Sequence, residues 1–296
     1  MTRINGIRRF CMRTEKEILD MILETADADA RIRAVTMEGS RANPNAVHDE
    51  YSDFDITFFV TDVREFTRDK EWIHRLGDIL IVQCPTDWYS HPYDYSSRDP
   101  FAFLIQFADG NRIDLTLRDV GLISGEAENK EPRIVLLNKD NFPSLLPIGS
   151  EEAYFIQPPG EMEFYNTCNE FRWLCLYVAK GVCRKELYYS KHAYDVLAMP
   201  MFLKMLNWKV GIDHNFQVST GSSCKYLKRF LTEEEMARFQ GIFPGGDYED
   251  ISRRLFLMYD YFDELAGFVA DHFGFVHDVR ETCRVRRFLE ERLCRA

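Results

Sequence analysis

A chain of 296 residues, 46% hydrophobic and 14% aromatic, can bury sizeable cores and is comfortable as two domains. Its formal net charge of -11 argues against a nucleic-acid partner, whose backbone is bound largely through Lys and Arg, and suits a cationic small substrate better. No apolar run approaches the roughly 20 residues of a membrane helix, no apolar signal segment follows the basic stretch 1–9, and the 8 Cys are scattered without a Cys-x-x-Cys pair; the expectation is a cytoplasmic protein with no membrane contact, no zinc site and no disulfide framework.

In chain order, the first predicted element is a helix over 14–28, with an apolar stripe of Ile18, Met21, Ile22 and Ala26 and a capping box made by Thr14 and Glu17. A strand over 34–37 ends at Glu38-Gly39-Ser40, where the missing side chain of Gly39 lets backbone amides approach a phosphate, Ser40 adds a hydroxyl and Arg41 a phosphate fork. Then comes Ser52-Asp53-Phe54-Asp55-Ile56. Strand alternation sends Asp53 and Asp55 to one face, and Phe54, Ile56, Phe58 and Val60 to the other. The run 49–55 does not read as a calcium loop, because neither the required Gly nor a closing Glu between helices is present.

A polar segment spans 61–69, followed by a helix around 72–76 and strands over 79–83 and 101–107. Asp109-Gly110 is the strongest hairpin signal. Its second strand, 112–117, presents Ile113, Leu115 and Leu117 to one face and Arg112, Asp114 and Thr116 to the other. A strand over 133–137 leads into the proline-bearing region 138–159, where the domain boundary is placed, giving domains 1–145 and 146–296. Beyond it the pattern is helical: 161–180, 186–208, 227–230, 233–242 and 248–273. The predicted fold class is α+β, an N-terminal mixed sheet flanked by helices plus a C-terminal α-helical bundle.

Paired carboxylates form a hard-oxygen site suited to magnesium when the remaining ligands come from water and a triphosphate. Nucleotidyl transfer needs an acceptor oxygen activated beside the α-phosphate while pyrophosphate is neutralised, which two metal ions roughly 3.5 to 4 Å apart accomplish. Asp53 and Asp55 would anchor two Mg2+ ions, and Asp114 would complete the ligand set or take the acceptor proton.

Several segments resemble the aminoglycoside 6-adenylyltransferases that modify streptomycin, within the polymerase-beta-like nucleotidyltransferase superfamily: Arg13-Thr14-Glu15, Glu38 to Asn43, Asp49 to Ile56, Asp109 to Leu115, Cys168 to Phe171 and Tyr177 to Gly181. The resemblance implies an N-terminal nucleotidyltransferase domain, ATP as co-substrate, and transfer of AMP to a hydroxyl of an aminoglycoside, O6 of streptomycin foremost. It also implies a nucleotide site on Gly39, Ser40, Asp53, Asp55 and Asp114 and a substrate cleft shared with the helical domain. In that domain Lys180 is either a β/γ-phosphate ligand or a solvated helix-end charge. Glu170 is a drug-guanidinium contact, a second candidate for the general base beside Asp114, or a residue favouring the helix start; Asn169 stands next to it. Arg172 and Cys183 stand where the family has an aromatic residue, and an Arg near a cationic substrate would repel it. Lys225 and Lys228 read as exposed turn residues that would otherwise assist phosphate binding, His192, His214 and His272 as structural or exposed, and Trp88-Tyr89, Tyr93-Tyr95 and Tyr188-Tyr189 as mostly packing residues that would otherwise line a sugar pocket. The alternatives are another small-molecule or protein acceptor, or a catalytically idle protein that binds nucleotide or drug.

Overall fold

The computed structural model describes residues 11–294; the basic stretch 1–9 lies outside them. Helix α1 (Glu15–Ala28) begins with the predicted capping box, in which the Thr14 hydroxyl accepts from the Glu17 N–H and the Glu17 carboxylate accepts from the Thr14 N–H at 2.7 Å. Six strands follow: β1 (Ile32–Glu38), β2 (Phe54–Val60), β3 (Ile79–Gln83), β4 (Phe101–Phe107), β5 (Arg112–Asp119) and β6 (Ile134–Asn138). They form one mixed sheet in the order β3-β4-β5-β2-β1-β6, with β2 and β5 parallel and every other neighbour antiparallel.

One sheet face is apolar by alternation. Phe54, Ile56, Phe58 and Val60 of β2 join Ile113, Leu115 and Leu117 of β5 and the odd-numbered residues of β4 in a core closed by Ile18, Ile22 and Ala26 of α1 and by Ile73 and Leu76. Each fully buried side chain of this size contributes roughly 1.5–3 kcal/mol, which is what holds α1 against the sheet. The opposite face carries a smaller cluster, Ala34, Phe59, Ile123 and Leu145; the rest of it is polar and bears the candidate site.

Short helices α2 (Gly39–Ala42) and α3 (Val63–Thr67) also belong to this unit. The segment 61–69, expected as merely polar, folds into α3 because the Asp62 carboxylate caps it, accepting the Arg64 N–H at 2.9 Å, while Val63, Phe66 and Thr67 turn inward. Residues 71–76 make a tighter 3-10 turn instead of an α-helix.

By compactness the chain divides after Ala153. Residues 146–153, placed by the prolines on the helical side, stay with the sheet: Arg133 and Ile148 exchange backbone hydrogen bonds, and Glu151 accepts from Asn43 at 2.8 Å. The second unit contains α4 (Glu161–Cys183), α5 (Leu187–Lys191), α6 (Met199–Asp213), α7 (Glu233–Gly241), α8 (Tyr248–Phe273) and α9 (Val279–Leu293). The single helix expected over 186–208 is α5 and α6 joined by a wide π-helical stretch, His192–Ala198. Pro200, in the first turn of α6, has no N–H to give that stretch, so the register is free to widen there. The core stacks Phe171 on Phe262 with ring centroids 3.8 Å apart and also buries Cys168 and Cys175. Burial pushes the Cys168 thiol up to about 12, so it is an inert packing residue. No helix among the described residues is long and apolar enough to cross a membrane.

Helix α9, absent from the expected elements, lays a stripe of Thr282, Val285, Leu289 and Leu293 against the bundle, with Thr282 and Leu289 buried. A polar clamp holds it. Arg172 of α4, itself buried, donates to Glu281 at 3.0 Å and to the Thr282 hydroxyl at 2.8 Å. That hydroxyl donates on to Asp263 of α8 at 2.9 Å, and Tyr259 donates to the Thr282 carbonyl at 3.0 Å. Arg172 therefore faces α9 inside the helical unit, and its charge is matched there; the repulsion expected from an Arg at a cationic-substrate pocket does not arise from this position. Replacing Arg172 with Met should leave the rest of the bundle folded, speed amide hydrogen exchange across 279–293, and lower the unfolding free energy in urea by about 2 kcal/mol.

Candidate active site

The site grows out of three adjacent strands. In the parallel β2–β5 pair Asp55 lies directly opposite Asp114, and in the antiparallel β1–β2 pair Glu38 lies opposite Asp55. Side chains at paired positions share a face, so Glu38, Asp55 and Asp114 form a row across the polar side of the sheet. Asp53 stands at the entrance to β2, two residues before Asp55. The geometry thus brings together the Asp53, Asp55 and Asp114 expected from sequence.

Gly39 is placed by that row. It follows β1 with a left-handed φ of 67°, and a β-carbon there would lie 1.9 Å from Asp55 Oδ2. Only glycine lets the turn from β1 into α2 pass so close to the carboxylate. Ser40 is next along, its carbonyl 2.7 Å from His48 Nε2.

The phosphate fork expected of Arg41 is not what its surroundings provide. Its side chain is 6% exposed and lies over the Phe54 ring. Nε donates to the Asp53 carbonyl at 3.1 Å, one terminal nitrogen donates to the Ser52 carbonyl at 2.7 Å, and the other pairs with Glu15 at 2.8 Å. Arg41 is thereby committed to bracing the loop that leads into Asp53.

Sequence reasoning missed four residues that shape this site. Arg112, two positions before Asp114 on the same face, places its guanidinium between the carboxylates: Nε and one terminal nitrogen grip Asp114 at 2.7 and 2.8 Å, and the other terminal nitrogen lies 3.6 Å from Asp53. Among the described residues no three acidic, His or Cys side chains stand arranged as a cation cage, and Arg112 is the group interposed between Asp53 and Asp114. Glu38 is the second: burial raises its carboxyl above the ordinary range, against the hydrogen bonds it accepts from Thr36 and, at 3.1 Å, Thr57. Arg13 is the third, donating to Asp109 at 2.6 Å and to the Leu76 carbonyl at 2.8 Å, with the Phe107 ring beneath it. Glu15, the partner of Arg41, is the fourth. The alternation already put Arg112 beside Asp114, and the resembling segments Arg13-Thr14-Glu15 and Glu38 to Asn43 contain the other three without giving them these roles.

The helical-unit candidates are placed separately. Glu170 sits in the third turn of α4, too far along to owe its place to the helix start, and is exposed in a groove lined by Glu163, Asn166, Asn169, Met201 and Lys204. Lys204 pairs with Glu163 at 2.6 Å. Lys180 is exposed in the last turn of α4. Cys183 is exposed near the Arg292 carbonyl. Lys225, Lys228, His192, His214 and His272 are all exposed. Tyr93 packs edge-on against Phe101 with centroids 4.9 Å apart, whereas Tyr89 and Tyr188 are exposed.

A family model described as streptomycin adenylyltransferase matches residues 12–292. An aminoglycoside 6-adenylyltransferase from Campylobacter jejuni is 39% identical over 238 residues, covering 80% of this chain and 81% of that one. A protein of the same name from Bacillus subtilis is 32% identical over 261 residues, 88% of this chain and 91% of its own length, and one from Staphylococcus aureus is 32% identical over 238 residues, 80% and 84%. A solved aminoglycoside 6-adenyltransferase from Bacillus subtilis aligns over 96% of this chain and 100% of its own with a TM-score of 0.48 and 28% identity.

Replacing Gly39 with Ala should shift Asp55 or open the turn. The left-handed backbone alone costs an alanine about 1–2 kcal/mol, so thermal unfolding should show a folded protein with a clearly lowered midpoint; an unchanged midpoint would mean that the Gly39–Asp55 approach is not a constraint.

Proposed function

The chain belongs to the streptomycin adenylyltransferase family and is a nucleotidyltransferase, and from that premise we propose that it transfers AMP from ATP to a hydroxyl of an aminoglycoside, O6 of streptomycin foremost, with release of pyrophosphate. The observation that carries this reading is the in-register pairing of Asp55 with Asp114 on parallel strands, beside Asp53 and against Gly39.

In the proposed reaction the acceptor oxygen attacks the α-phosphorus, the bond from that phosphorus to the bridging α,β-oxygen breaks, and pyrophosphate leaves. Gly39 and Ser40 supply close backbone and hydroxyl contacts to the phosphates. The donor set fits magnesium, being all hard oxygen from Asp53, Asp55 and Asp114 around a glycine turn that admits no side chain; bound there, the ions would polarise the phosphate and neutralise the leaving group. Asp114 takes the acceptor proton in this proposal, with Glu170 as the other candidate base. We assign Glu170 and its groove to cationic and hydroxyl groups of the drug, since an exposed carboxylate flanked by Asn166 and Asn169 offers both kinds of contact. Lys180 is assigned to the β- and γ-phosphates, and Arg41 to positioning.

Incubation of the protein with ATP, magnesium and streptomycin should add one AMP to the drug in the mass spectrum. A drug left unmodified while another acceptor is adenylylated would move the assignment to that acceptor, and ATP and drug binding with no transfer to any acceptor would reduce the chain to a binding protein. Asp53→Asn should fold normally and lower pyrophosphate release by at least about a hundredfold; full turnover in that variant would remove Asp53 from the site.

A further inference from the structure

Four arginines near the polar face differ in how they are held. Arg133 is 1% exposed, paired with Glu126 at 2.6 Å, and hydrogen-bonded to two backbone carbonyls. Arg41 is likewise buried and fixed by carbonyls. Arg118, pairing with the same Glu126, is 34% exposed. Arg112 is the only one of them gripping the candidate ligands: its partners are Asp114 and Asp53, and its side chain is 38% exposed, with Asp53 at 37% and Asp114 at 23%. Solvent screens such a pair, so its charge interaction is much weaker than that of the buried arginines and can be exchanged for another.

We propose that Arg112 is a built-in counter-ion of the carboxylate site, displaced when a divalent cation binds, and that its guanidinium then passes to the incoming triphosphate. The inference rests on the assignment of Asp53, Asp55 and Asp114 as cation ligands. The gathered carboxylates of β2 and β5 repel one another across the sheet, and a planar fork two residues upstream of Asp114 offsets that repulsion without leaving the strand. A cation competes for the same oxygens. Once displaced, the fork remains on the same face with donors suited to phosphate oxygens, so the neutralising charge follows the reaction to the triphosphate.

The test is calorimetric titration of Mn2+ into the full chain without nucleotide, for wild type, Arg112→Gln, Arg112→Lys and Asp53→Asn. Arg112→Gln should bind Mn2+ about tenfold more tightly, since loss of a competing positive charge at this distance has that order of effect. Arg112→Lys, which keeps the charge and loses the fork, should fall between. Chemical denaturation should show Arg112→Gln less stable than wild type without the cation and gaining more from it, a combination that a merely structural residue does not produce. With saturating cation, Arg112→Gln should also raise the KM for ATP. Wild-type binding that Asp53→Asn weakens, combined with equal or weaker binding by Arg112→Gln, would overturn the counter-ion role alone; an unchanged KM for ATP would overturn the transfer to triphosphate. Absence of Mn2+ binding to wild type, or equal binding by Asp53→Asn, would remove the ligand assignment and the counter-ion role with it.

Discussion

Three residues at the start of α1 set the position of both strands that carry the carboxylates. Arg13 grips Asp109 and the Leu76 carbonyl, and its own carbonyl accepts from Asn111 at 3.0 Å, which fixes the turn from which β5 departs. Glu15 pairs with Arg41, whose other nitrogens hold the carbonyls of Ser52 and Asp53, where the chain enters β2. The Thr14 cap between them locks the helix that presents both. Arg41 and Asp109 are largely buried, so each charge must find its partners within the protein. The apolar contacts of Ile18, Ile22 and Ala26 decide where α1 lies, and its first residues convert that placement into the spacing of Asp53 and Asp114.

The sheet then divides its work between faces. Phe and Ile residues on one side supply the burial that makes the unit stable, which frees the other side to hold groups that would not fold by themselves. Along that polar side the charges are graded by burial. Glu126 and Arg133 are sealed together at 2.6 Å, burial beneath Thr36 and Thr57 raises the Glu38 carboxyl above its ordinary range, and Asp53 and Asp114 are 37% and 23% exposed.

Period two alone located most of the strands and the apolar face of β2, because a sheet with one buried face leaves that alternation in the sequence. Asp109-Gly110 placed β5 correctly for a similarly local reason: Gly110 takes φ 100°, and the Asp109 carboxylate accepts the Asn111 N–H at 3.0 Å. The acidic triple was legible because each Asp sits at an identifiable strand position, although the parallel β2–β5 pairing that sets Asp55 against Asp114 is a long-range fact with no local mark. What escaped was structure held by polar contacts. Segment 63–67 depends on the Asp62 cap and is too short for an apolar stripe to show, and in α9 the stripe of Val285, Leu289 and Leu293 gives no sign of the clamp from Arg172.

Arginine is the residue type whose role the sequence states least clearly, and the reason is geometric. Its side chain spans several ångströms and ends in five donors, so the same letter beside a motif can serve a ligand, a carboxylate or a carbonyl. Arg41 adjoins Gly39-Ser40 and reads as a phosphate ligand, yet it lies across Phe54 and turns to the carbonyls of the next loop. Arg172 lies next to Phe171 in a segment read as part of a drug pocket, yet it reaches across to Thr282, more than a hundred residues later, at 2.8 Å. In both cases burial separates the readings. A guanidinium taken from water must find its full set of acceptors within the protein, and backbone carbonyls and hydroxyls, invisible in a motif, are the acceptors that folding brings to it. A half-exposed arginine keeps water as an alternative partner, and only there can its contacts with carboxylates be exchanged.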